Sequence, residues 1–395
     1  MKILLVNVVF GSGSTGTIVS SLFQQYKDLG HEVYAVYGRG KKIKDTNITK
    51  IGFEFESKIN HFFSRLSGNL YGGCYPLGMH KFKKIFKSFK PDVVHIHCIN
   101  GFFINVYKVL NFLKKQGVKT VITNHAEFMF TANCGYSLEC EKWKNGECRK
   151  CKRVRGFNGK LSLNRTHHFY KKMYKAVKGF DSLKTTCVSP WLSERIEVSP
   201  IYRDVPNKTV LNGLDVSCFT RKNDKNPFEE LLKEHNKKHV ALFVCSNPEN
   251  DEKGFPHFVK LSEEMADSDW LFVHIGKKTT GDHFVNLDAI DNKDLPVYYS
   301  SSDVTLLFSK RETFSMIVAE SLCCGTPVYG FRSGGPETIA IEKYTKFVDY
   351  GCTDEIKQLL DKYQLVDRDA LSKEAKEKYA NEISARNYLG VFQDE

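Results

Sequence analysis

Two glutamates frame the residues best suited to chemistry. Glu312 and Glu320 lie in the stretch 303–337, DVTLLFSKRETFSMIVAESLCCGTPVYGFRSGGPE. Between them an apolar-periodic run, Phe314 to Cys324, predicts a helix that Gly325 and Pro327 stop. The first turn of a helix carries N–H groups without intrahelical partners and the positive end of its dipole, so Thr313, Phe314 and Ser315 mark a place for a phosphate. Glu320, two turns inside, suits hydrogen bonds from ribose hydroxyls, and Glu312 lies where the other end of a nucleotide-linked ligand would emerge. Two glutamates alone would read as a cap and a solvated helix face. Other groups can join them. Lys253, before a strand-to-helix turn in 251–255 DEKGF, offers a point charge to a pyrophosphate. His97 ends the apolar strand 93–97 and His125 follows the strand 119–123, at the carboxyl ends where parallel strands gather ligands. His95 suits the core. Gly11, Gly13 and Gly16 match G-x-G-x-x-G between a strand and a helix, a phosphate-binding turn.

The elements needed to position these residues follow from periodicity. Residues 2–10 predict a strand, 17–29 a helix and 33–37 a strand. That strand ends in Tyr37-Gly38-Arg39-Gly40, without the acidic residue that holds a dinucleotide ribose, so as a dinucleotide site it suits only a 2′-phosphate. Strand 304–308, loop 309–313, helix 314–324 and strand 327–331 form one βαβ unit. Runs at 240–245, 271–275 and 296–299 complete a second sheet with it. Helical patterns cover 103–116, 161–177, 191–198, 353–363, 369–379 and 383–392. Residues 199–208 lack periodicity and read as a linker. The expected division is a first domain over 1–200, a second over 209–380, and a last helix in 381–395 crossing back to the first.

Taken together, Glu312, Phe314, Glu320, Gly325, Pro327, Gly334, Gly335 and Glu337 resemble the signature of family 4 retaining glycosyltransferases. Asn124-His125-Ala126-Glu127-Phe128 resembles the family's donor-side histidine motif, with Ala126 where that motif usually carries Asp, and Asn212-Gly213-Leu214-Asp215 resembles its Asn-Gly-x-Asp turn. The resemblance implies the GT-B fold: two doubly wound parallel-sheet domains facing a cleft, with a nucleotide sugar on the second domain and an acceptor on the first. It implies transfer with retention, from a UDP-linked donor and without a catalytic metal, to a glycan or lipid-linked acceptor in surface-polysaccharide synthesis. The catalytic residues would be His125, Glu312 and Lys253. The donor would rest on Gly13, Gly16, Lys253, Thr313, Phe314, Ser315 and Glu320. The loop holding Lys253 lacks the Arg usual in the family, which makes the lysine matter more. Rival readings are an NADP-dependent oxidoreductase, a GT-B sugar-nucleotide epimerase and a non-catalytic glycan-binding subunit.

The remaining features bound this reading. A chain of 395 residues with 41% hydrophobic and 26% charged residues suits two soluble domains. The formal net charge of +12 points to an anionic partner, yet no nucleic-acid-reading motif is present. Nothing resembles a signal peptide or a membrane span, so the cytoplasm is expected. Cys134, Cys140, Cys148 and Cys151 interrupt the α/β rhythm within the loop 134–151 and predict a structural zinc, with a run of free thiols as the alternative. Residues 81–90, KFKKIFKSFK, set phenylalanines on one helical face and lysines around the rest. The phenylalanines suit the core, and the lysines suit the inner face of an anionic membrane.

Overall fold

The computed structural model describes residues 1–67, 76–131, 134–152, 163–222 and 226–394. The start of the helix expected over 161–177 lies outside the described residues. The chain divides into two units, residues 1–212 with 384–395, and residues 213–383.

The first unit is built on seven strands: β1 (Lys2–Asn7), β2 (Glu32–Tyr37), β3 (Ile48–Lys50), β4 (Val93–Ile96), β5 (Lys119–Asn124), β6 (Leu183–Cys187) and β7 (Asn207–Thr209). Their order is β3-β2-β1-β4-β5-β6-β7, every pair parallel. Central strands such as Ile3 to Val6 are buried throughout, as both faces of a helix-covered parallel sheet must be. β1 stops three residues before the expected Phe10. The Asn7 side chain donates to the Val9 carbonyl at 2.8 Å and accepts from Cys98 N–H at 2.9 Å, drawing the chain out of the sheet. Helix α1 (Gly13–Asp28) therefore begins within the glycine motif. A Cβ on Gly16 would lie 2.9 Å from Val9 Cγ2, so this glycine serves close helix–strand approach. β7 stands where a linker was expected. Pro206 just precedes this short edge strand, a position that needs no ladder N–H.

Helices α2 (Glu54–Ser67) and α3 (Leu77–Phe89) lie between β3 and β4 in the chain. Phe82 and Phe86 of α3 are buried while Lys83, Lys84 and Lys87 are exposed, so the phenylalanines do serve the core. The terminal helix Asn381–Gln393 packs on the first sheet from Ser384 onward. Its Tyr388 ring is 4.7 Å from His95, and the Lys119 ammonium donates to the Phe392 carbonyl at 2.7 Å.

The second unit holds β8 (His239–Cys245), β9 (Trp270–Gly276), β10 (Val285–Leu287), β11 (Val304–Leu307), β12 (Val328–Phe331) and β13 (Thr345–Val348), in the parallel order β10-β9-β8-β11-β12-β13. Residues 296–299 are not a strand but part of the helix Leu295–Ser301. Pro296 sits in its first turn, and buried Leu295 and Tyr299 are one helical turn apart. Aromatic rings fill this core: Phe243 stacks on Phe258 at 4.9 Å and on Phe308 at 5.9 Å. In both sheets the strand order reverses once, making neighbours of β1 and β4, and of β8 and β11. The loops after such neighbours leave on opposite sides and open a crevice, the usual ligand position in this architecture. Among the described residues no helix is long and apolar enough to cross a membrane.

Candidate functional site

The crevice of the second unit joins two loops far apart in sequence. After β8, Asn250 accepts from Glu252 N–H at 3.1 Å and caps the short 3-10 turn Asp251–Lys253. After β11, Lys310 N–H donates to the Glu252 carbonyl at 2.8 Å, tying the second loop to the first. The Lys253 ammonium thereby reaches Glu312 Oε1 at 2.5 Å, and Ser309 Oγ donates to the same oxygen at 3.1 Å. Lys253 keeps an exposed flank while Glu312 is largely covered. The turn at Ser333, Gly334 and Gly335 holds the Glu312 backbone. Glu312 N–H donates to Ser333 O at 3.1 Å, and Gly335 N–H donates to Glu312 O at 2.9 Å. Glu337 secures that turn by accepting from Ser333 and Gly334 N–H at 3.1 and 2.8 Å.

Gly254 closes the lysine turn with φ +75°, and a Cβ there would stand 2.0 Å from the Phe308 carbonyl oxygen. Gly254→Ala is expected to destabilise the second unit by about 2–5 kcal/mol, adding left-handed strain to a backbone clash. A melting curve checks this, and an unchanged midpoint would refute it.

The helix that follows Glu312 is Met316–Cys323. Its N-cap, Ser315, has φ +78° and contributes no side-chain cap, so no side chain at that position competes with a ligand for the first-turn N–H groups. Thr313 and Phe314 are buried, and Phe314 meets the Tyr379 ring at 6.4 Å. Phe314 is thus a packing residue that sets the helix start. Glu320 accepts from the Tyr299 hydroxyl at 3.0 Å. It retains some accessible surface, but dense surroundings raise its carboxyl to about 7, an effect the tyrosine hydrogen bond partly opposes.

In the first unit the structure joins two histidines the sequence placed on separate strands. His97 Nδ1 and His125 Nε2 are 2.9 Å apart. Burial holds His125 at about 4 and His95 at about 3, so both are neutral imidazoles near neutrality. The buried His97 Nε2 has no hydrogen-bond partner. A bare lone pair there costs less than a bare N–H, so His97 Nδ1–H donates and His125 carries its proton on Nδ1. His95 is a core histidine, its Nε2 2.8 Å from Thr123 Oγ1.

Glu127, two residues after His125, is fully buried and bridges three segments, a role the sequence did not reveal. It pairs with Arg195 of the helix Pro190–Glu197 at 2.5 Å and accepts from Ser137 N–H. The Arg195 guanidinium also lies 4.9 and 4.7 Å from the Trp143 and Trp191 rings. Ser137 and Trp143 belong to the cysteine-rich loop. There Cys134, Cys140, Cys148 and Cys151 line one cavity of about 360 Å³. The sulfurs share a neighbourhood without forming a ligand shell: among the described residues no group of three or more His, Cys, Asp or Glu is placed to hold a metal ion. The Cys148 thiol instead donates to the Thr131 carbonyl at 3.2 Å. Burial, with Cys140 and Cys151 nearby, pushes it up to about 12. The four cysteines expected as zinc ligands thus line one cavity, with Cys148 hydrogen-bonded to the backbone.

Two doubly wound parallel sheets, with an acidic–basic pair at the switch point of the second, define a transferase of the GT-B class. The chain belongs to glycosyltransferase family 4: the model of that family matches residues 15–217, and the model for glycosyl transferases group 1 matches 227–378. WcaC of Escherichia coli (strain K12), which carries the name of a colanic acid biosynthesis glycosyl transferase, is 22% identical over the full length of both chains. Among solved structures, a glycosyltransferase from Rickettsia africae superposes with TM-score 0.67 at 14% identity, over 99% of this chain and 97% of that one. HepE of Anabaena, in complex with UDP, superposes with TM-score 0.65 at 11% identity over 99% of both.

Proposed function

We propose that the protein transfers a sugar from a UDP-linked donor to a glycan or lipid-linked acceptor in surface-polysaccharide synthesis, with retention at the anomeric carbon. The observation that carries this reading is the Lys253–Glu312 pair beside the uncapped start of the helix Met316–Cys323. A departing diphosphate needs positive charge. Lys253 and the first-turn N–H groups offer it without a divalent metal. Glu312 would contact the sugar ring, Glu320 the ribose, and the neutral His125 the sugar hydroxyls. Gly13 and Gly16 of the first unit would contribute to donor binding. The names of WcaC and of HepE with UDP support the choice of pathway and nucleotide.

A panel of UDP-sugars assayed against lipid-linked and glycan acceptors, in chelator, tests it. The expected result is transfer that persists in chelator, with the donor's anomeric configuration kept in the product by NMR. Transfer only from a non-uridine donor, inversion, or donor turnover without acceptor would each overturn the corresponding part.

Glu320 sets an expected pH dependence. The free carboxyl is protonated below about 7, and a ribose hydroxyl needs it as an acceptor, so donor affinity should strengthen as pH rises through that value. The Kd of a UDP-sugar at pH 6 is expected to exceed that at pH 8 about tenfold. Glu320→Gln should bind more weakly with a flat profile. Calorimetric titration at the two pH values decides.

A further inference from the structure

The turn after β2 has no task in the proposed reaction, yet it is fixed along its length. Gly38 and Arg39 N–H both donate to the Val8 carbonyl, at 3.1 and 2.7 Å. Gly40 N–H donates to Glu54 Oε1 at 2.9 Å, and the Lys50 ammonium donates to the Gly40 carbonyl at 2.6 Å. The hydroxyl of buried Tyr37 donates to the Lys41 carbonyl at 2.8 Å and accepts from Ile43 N–H at 2.9 Å. A connection from β2 to β3 needs none of this to run over the surface. Turns held so firmly on a rigid sheet are where binding side chains are placed.

The side chains placed here are cations. Arg39, Gly40 and Lys41 wall an open cleft of about 510 Å³ that Val8, Val9 and Glu54 complete. Glu54 is already engaged: Oε1 accepts from Gly40 N–H and from Lys50 at 3.0 Å, and Oε2 accepts from Arg39 Nε at 3.3 Å. Arg39 spends only its Nε on that pair, which leaves the terminal nitrogens of its fork. Lys41 is exposed and, among the described residues, makes no ion pair. An arginine fork and a lysine beside two valines, with the one carboxylate paired, select an oxyanion.

Its place in the sheet says which molecule carries that oxyanion. The cleft lies at the carboxyl ends of β1 and β2, on the edge where His97 follows β4 and His125 follows β5. The strand order β2-β1-β4-β5 puts the end of β2 about 14 Å from the end of β5. A sugar at His125 and a second ligand at Arg39 would therefore share one edge of one sheet, separated by more than a single ring. We propose that the acceptor carries a carboxylate or phosphate on a unit set back from its receiving hydroxyl, and that Arg39 and Lys41 bind it. This rests on the transferase reading above, with the donor sugar at His125.

The test is calorimetric titration of the full chain with a glucuronate tetrasaccharide, with its neutral methyl ester, and with geranyl diphosphate. At least one anionic probe should bind, more weakly as salt is added, and the methyl ester should bind at least about tenfold more weakly than the free tetrasaccharide if the group is a carboxylate. The two anionic probes thus separate a sugar carboxylate from a lipid-linked diphosphate. Arg39→Gln with Lys41→Gln should weaken the preferred probe about tenfold or more. Melting temperature should hold, since both side chains are exposed. Binding of neither anionic probe overturns the inference, as does unchanged affinity in the double variant. NADPH binding that the double variant abolishes would overturn it too, by making this a nucleotide site. UDP is titrated alongside. A chain that binds an anionic probe but no UDP would refute the proposed donor and leave this oxyanion site standing, whereas UDP binding without anionic-probe binding overturns this inference alone.

Discussion

Lys253→Ala is expected to lower kcat for sugar transfer by about two to three orders of magnitude, the usual loss when one preorganised group facing developing negative charge is removed. Two effects act together. The departing diphosphate loses a cation, and Glu312, which Lys253 neutralises, is left as an uncompensated carboxylate where the phosphates arrive. The fold should hold, because Lys253 is partly exposed and such a pair contributes at most about 1 kcal/mol. Lys253→Arg keeps the charge and should recover part of the rate. Glu312→Gln should also fall steeply. The double variant Lys253→Ala with Glu312→Gln should lose less than the two single losses multiplied, since the side chains are in direct contact. Steady-state kinetics with matched melting curves decide, and near-normal turnover in Lys253→Ala would remove the lysine from the reaction.

The second large effect falls on stability. Arg195→Ala strands the Glu127 carboxylate in the interior without its cation, a change that ordinarily costs about 3–5 kcal/mol. Ser137 hangs on the same carboxylate, so the cysteine-rich loop should loosen with it. The expected outcome is a fall of roughly 10 °C in the melting of the first unit and faster proteolysis within residues 134–152. Glu127→Gln with Arg195→Met, which removes both charges, should be milder than Arg195→Ala. If Arg195→Ala melts like the wild type, Glu127 has another counter-charge. This contact also changes the meaning of the histidine motif, whose acidic member ties the scaffold around His125 rather than meeting a substrate.

Sequence patterns identify the elements wherever the signal is local. The strand, helix and second strand of 304–331 follow from periodicity with a glycine and proline stop, and the glutamates at either end stand out because a helix start between them attracts anions. Short apolar runs are less decisive. Residues 296–299 suit a strand or a helical turn equally, and only the proline at a helix start, with buried Leu295 and Tyr299, resolves them. Phe314 shows the opposite limit: its motif position is legible, but its burial against Tyr379 is not.

The chain alone determined which residues are chemically apt and which longer segments form strands and helices, because both depend on neighbours a few positions away. Tertiary structure decided their partnerships. Lys253 and Glu312 meet across 59 residues because β8 and β11 are neighbours, and His97 and His125 meet because β4 and β5 are. It also decided the direction of α2, whose Phe55 and Phe62 are exposed while Glu56 and Asn60 are buried. Periodicity defines an apolar face, but whether that face turns toward the sheet or toward solvent depends on what the rest of the chain already covers.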